Sequence, residues 1–93
     1  MRELKLEHFA DNVGKTYEIV FTDAVLPVTL EQAQPLPGGH REAGAFRLQF
    51  LGPLEPVLAQ GIFAFRLDED IDAIFIVPIG QDENGTQYEA IFS

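Results

Sequence analysis

Apolar residues along this chain recur once at helical spacing and then, repeatedly, at every second position. Leu6, Phe9 and Val13 stand at i, i+3 and i+7, and Gly14 follows where a helix would end in the left-handed conformation. This predicts one short amphipathic helix over residues 5–13. From Lys15 the period drops to two. Tyr17, Ile19 and Phe21 alternate with Thr16, Glu18 and Val20, and Leu26, Val28 and Leu30 alternate with Pro27, Thr29 and Glu31. The expected strands are 15–22 and 25–32, joined by a tight turn at Thr22–Ala24. Pro27 has no N–H to give to a ladder, which puts its strand at an edge or at a bulge.

Residues 33–44 hold two prolines and three glycines and read as a long loop. Strands are then expected over 45–51, 62–67, 71–79 and 86–92. Phe46, Leu48 and Phe50 face one way in the first, Phe63, Phe65 and Leu67 in the second, and Tyr88, Ala90 and Phe92 in the last. Residues 52–61 form a further Pro/Gly connection. One helix and six strands with mostly short links favour antiparallel pairing, because parallel pairs need crossover helices that are absent. The expected fold is mainly β: a small antiparallel six-stranded barrel or sandwich with one N-terminal helix, in a single domain. No internal repeat is visible.

The segment 71–79 is apolar on both faces. Ile74 and Ile76 share one side, opposite Phe75 and Val77, and Val20, Ile62 and Ile91 also lie off the main core faces of their strands. A second apolar surface therefore needs a cover, either the helix or a partner. Ile74, Ile76, Ile62 and Ile91 are the candidate interface residues.

Composition narrows the choice of partner. The formal net charge is −9, and the six Lys and Arg residues are scattered, so a nucleic-acid backbone is not expected as a ligand. There is no cysteine, which excludes disulfides and thiolate chemistry. No apolar run approaches the roughly 20 residues of a membrane helix, and no signal-peptide pattern is visible. The expectation is a soluble cytoplasmic protein without membrane association.

Candidate chemistry is sparse. In GQDENGTQYEAIF, Asp82, Asn84, Gly85 and Glu89 invite comparison with a calcium loop. The glycine comes two positions early, and Glu89 lies four rather than six residues beyond it. A hairpin with Asn84-Gly85 as a two-residue type I′ loop, pairing Glu83 with Thr86, uses every residue. The loop residues Gly38, Gly39, His40, Arg41 and Glu42 form a candidate functional patch, since loops often carry function. Asp68, Glu69, Asp70 and Asp72 read as a solvated turn. The only serine is Ser93, so no catalytic triad can be built, and no cofactor or metal is expected.

Three stretches carry a family resemblance: LEHFADNVGKTYEI, FRLQFLGPLEPVLAQGIFAF and PIGQDENGTQYEAIF. Leu6 to Phe9, Gly52-Pro53, Gln60-Gly61 with Phe63, Pro78 to Gly80, Asp82, Gly85 and Tyr88 to Phe92 resemble DUF6916, a family of short bacterial proteins of unknown function. The resemblance covers nearly the whole chain. It implies no established activity and transfers no catalytic residue. It implies a context beside phage-tail-collar or tail-fibre-like proteins. The expected function is a non-enzymatic interaction or assembly protein whose protein partner is a copy of itself, as a homo-oligomer, or a tail-fibre-like protein. The alternatives are a barrel that binds a small apolar ligand, and an enzyme using Asp/Glu with His40.

Overall fold

A computed structural model describes residues 3–38 and 44–93. Six strands close into one antiparallel barrel: β1 (Thr16–Val20), β2 (Val25–Leu36), β3 (Ala45–Gly52), β4 (Gly61–Leu67), β5 (Asp70–Asp82) and β6 (Gly85–Phe92). Their order around the ring is β1-β2-β3-β6-β5-β4. Two meanders, β1–β3 and β4–β6, are thus joined by the 53–60 connection and sealed by the β1–β4 and β3–β6 ladders. The choice between barrel and sandwich is resolved in favour of a closed ring.

The two long strands make closure possible. β2 pairs with β1 through Val25–Thr29 and then with β3 through Thr29–Leu36, with a register shift between Leu30 and Gln32. β5 pairs with β4 through Ile76 and with β6 from Val77, with a shift between Pro78 and Gly80. Each strand bends at its bulge and passes from one partner to the next. Pro27, Pro35 and Pro78 all lie where their strand has a single partner, so the missing N–H breaks no second ladder. β2 accordingly runs to Leu36, beyond the expected end at 32 and into the stretch expected as a loop.

Alternation sorts the side chains. Tyr17, Ile19, Val28, Leu30, Phe46, Leu48, Phe50, Phe65, Ile74, Ile76, Tyr88 and Ala90 fill the interior. Aromatic rings occupy its centre: Phe50 lies 4.8 Å from Phe65 and 5.7 Å edge-on from Tyr17, within the range of favourable ring pairs.

The helix, α1, is only Glu7–Ala10. Beyond it the backbone continues as turns, with Asn12 N–H bonded to Phe9 O and Lys15 N–H to Asn12 O. Two side chains serve its ends. Lys5 N–H donates to His8 Nδ1 at 3.0 Å, and Asn12 Nδ2 donates to the His8 carbonyl at 3.0 Å. Because the helix stops early, Val13 turns to solvent rather than extending the Leu6–Phe9 stripe. Phe9 is the anchor. It is buried against Phe46, Phe92 and Tyr17 at 6.1–6.4 Å and plugs one end of the barrel. The helix therefore closes the interior and leaves the outer wall bare.

The β5–β6 turn departs by one residue from the expected type I′ loop. Asp82 pairs with Gly85, so the loop is Glu83-Asn84. Neither of these has positive φ. Gly85 does, at 144°, as the first residue of β6. Asn84 N–H donates to Asp82 Oδ1 at 2.8 Å, an Asx turn that suits Asp before a tight loop. The acidic stretch is a hairpin tip.

Candidate functional site

The period-2 alternation that fills the barrel also decides which residues remain outside. Ile74 and Ile76 are 1% and 0% exposed. They face the interior with Phe65 and Tyr88, so their reading as interface residues is corrected: once the sheet curls, their side is the concave one. The opposite face of β5 points outward and carries Ile71, Ala73 and Phe75.

Ile62 and Ile91 do lie on this outer wall. Ile62 pairs with Phe75 across β4–β5. Ile91 points outward from β6 two residues beyond Val77↔Glu89, where the β5–β6 ladder ends. Ile62, Phe75 and Ile91 are 70%, 47% and 49% exposed. With strands about 4.8 Å apart, Ile62 and Phe75 make one exposed cross-strand apolar pair. Beside it, Ala64 pairs with Ala73 and Val20 with Ala64, and Ile71, 60% exposed, continues the apolar wall along β5. Phe75 was the residue that sequence reasoning passed over. The two-faced character of 71–79 was visible, but which face a curled sheet turns inward was not.

Two ion pairs lie beside these apolar residues. Arg66 meets Glu18 at 2.7 Å, and Arg66 lies opposite Ile71. Arg47 lies opposite Ile91 and meets Glu89 at 2.8 Å. Arg47 also donates to the Oε1 atoms of Gln32, Gln34 and Gln49, so all five of its N–H donors are used. This rosette ties β2, β3 and β6 together on the outside.

A cavity of about 190 Å³ opens beside the helix, lined by His8, Asn12, Tyr17, Leu67, Asp70 and Asp72. The expected solvated turn is thus divided. Asp68 shapes the β4–β5 turn at φ 54°, while Asp70 and Asp72 line the cavity. Asn12 Nδ2 donates to Tyr17 Oη at 3.1 Å across its floor. His8 Nδ1 accepts from Lys5, so a neutral imidazole carries its proton on Nε2. Among the described residues, no group of three or more His, Asp or Glu is placed to hold a metal ion.

In the candidate loop, Gly38 is exposed with φ 76°. Gly39, His40, Arg41 and Glu42 lie outside the described residues. No helix among the described residues is long and apolar enough to cross a membrane.

Comparison with known proteins places the chain in a family without assigning it a role. No curated protein and no solved structure matches it. The family model described as a domain of unknown function, DUF6916, matches residues 4–92, and the chain belongs to that family.

Proposed function

We propose that this chain is a non-enzymatic interaction or assembly protein that docks through the outer wall of β4, β5 and β6. One observation carries the reading: the cross-strand pair Ile62–Phe75, with Ile71 further along β5 and Ile91 on β6, is apolar and exposed on a barrel whose interior is already filled. Those side chains add nothing to the core, and burying them against a partner removes apolar surface from water. The exposed side chains favour this outer face packing on a partner. Strand addition is a weaker route, because the six strands leave no full-length edge.

The partner classes that follow from the sequence are another copy and a tail-fibre-like structural protein, met in the cytoplasm. The alternative of an apolar ligand inside the barrel would require displacing Tyr17, Phe50 and Phe65 from one another.

The test is solution mass by light scattering behind a sizing column, at low and high protein concentration and with a candidate partner. Ile62→Glu/Phe75→Glu should abolish a complex while leaving the far-UV circular dichroism unchanged. A complex that survives the double substitution would remove the outer wall from consideration.

A further inference from the structure

We infer that the occupant of this wall is a protein surface with an apolar centre and a basic border, rather than a second copy of this chain. The inference rests on the docking role proposed above and names the partner's chemistry.

Charge separates the two occupants. From Leu48 to Ser93 the sequence holds one basic residue, Arg66, against eight acidic ones. Those residues build β4, β5 and β6, the strands that carry Ile62, Phe75 and Ile91. Arg66 is already neutralised by Glu18, and Glu89, one of the eight, is taken up by Arg47 on the neighbouring β3, which leaves seven. At the Ile71 end of the wall the chain turns through Asp68 and Glu69. Beyond Val20 and Val25, the β1–β2 loop carries Asp23. The wall is thus apolar in the middle, flanked by two ion pairs and acidic at the turns that end β4 and β1.

A second copy docked face to face would set acidic margin against acidic margin, on two bodies of formal charge −9 each. That repulsion is strong at low salt and is screened over a Debye length of about 8 Å at physiological salt. The complementary surface carries Lys or Arg around an apolar group. Such a partner gains burial at the exposed Ile62–Phe75 pair and at Ile71, and its basic border is steered to this wall by long-range attraction. An apolar centre with a polar, charged rim is also the ordinary anatomy of a transient interface.

The experiment uses two fluorescently labelled eight-residue peptides as probes, one alternating Leu with Lys and one alternating Leu with Glu. Each is titrated by anisotropy with the wild-type protein and with Ile62→Asp/Phe75→Asp, at 50 and 300 mM NaCl. Sedimentation velocity of the wild type is recorded in the same buffers. The expected result is a monomer in both buffers. It should bind the Leu/Lys peptide at least ten-fold more tightly than the Leu/Glu peptide, weaken as salt rises, and lose at least ten-fold in the double variant.

A dimer that the double variant dissolves would overturn the basic partner while leaving the docking wall intact. Leu/Lys binding that is unchanged in the double variant would overturn the wall itself, since charge alone would then explain it. Binding of neither peptide would overturn the basic border.

Discussion

Gly85 offers the sharpest test of the fold. It opens β6 with φ 144° and is buried where β6 runs beside the end of β3. A Cβ built there lands on the carbonyl oxygen of Gly52, far inside the 3.0 Å that real Cβ atoms respect, with Leu51 Cδ1 at 3.2 Å. Alanine must abandon this backbone conformation or push β3 aside. Holding a side chain in a region that favours glycine costs about 1–3 kcal/mol. Moving β3 away weakens the Gly52–Thr86 end of the ladder, at about 1 kcal/mol per hydrogen bond lost.

With one such bond lost the total is about 2–4 kcal/mol, against about 5–14 kcal/mol of total stability for a chain of this length. At roughly 4–8 °C per kcal/mol, Gly85→Ala should melt at least about 8 °C lower. The assay is thermal and urea unfolding followed by far-UV circular dichroism, with Gly52→Ala as the reference. A Cβ on Gly52 meets only the side chains of Tyr88 and Val28, both at 3.1 Å, and overpacking of that kind costs about 1–2 kcal/mol. If Gly85→Ala melts within about 3 °C of wild type, or is milder than Gly52→Ala, the close approach of β3 and β6 is wrong.

Further outcomes follow from the same packing. Ile76→Ala should cost about 2–5 kcal/mol in urea unfolding, whereas Ile62→Ala should stay within about 0.5 kcal/mol, because one side chain is interior and the other faces water. Phe9→Ala should cost about 3–5 kcal/mol and, by amide exchange, expose the strand ends around Phe46 and Phe92 first. Asp68→Gly should raise the melting temperature, with a gain of about 0.5–1 kcal/mol, because φ 54° strains any residue with a Cβ. Arg47→Met should lose about 1–2 kcal/mol, read by urea unfolding, because four partners lose their donor at once.

Much of the fold was legible because alternation is a local property. Phe46, Leu48 and Phe50 could be assigned to one face without knowing what lay opposite. All six strands were found, and the errors fell where pairing decided the boundary. β2 ran on through Gln34 and Pro35 because β3 was there to accept it. The β5–β6 loop moved by one residue because Gly85 was needed against Gly52 rather than inside a turn. The site was half legible. Ile62 and Ile91 stood out as apolar residues on the wrong face of their strands. Phe75 did not, because in a two-faced strand its neighbours Ile74 and Ile76 looked equally available.

The sequence by itself determined that this is a small antiparallel β domain, acidic, without cysteine, opened by a short helix with a phenylalanine at its centre. Those properties follow from residue type and from spacings of two, three and four, which act over a single turn or strand. Only the tertiary structure decided which side of β5 is the inside. The sheet curls at the bulges of β2 and β5, and curvature makes one face concave. Ile74 and Ile76 fell on the concave face and became core. Ile62, Phe75 and Ile91 fell on the convex one and were left facing outward.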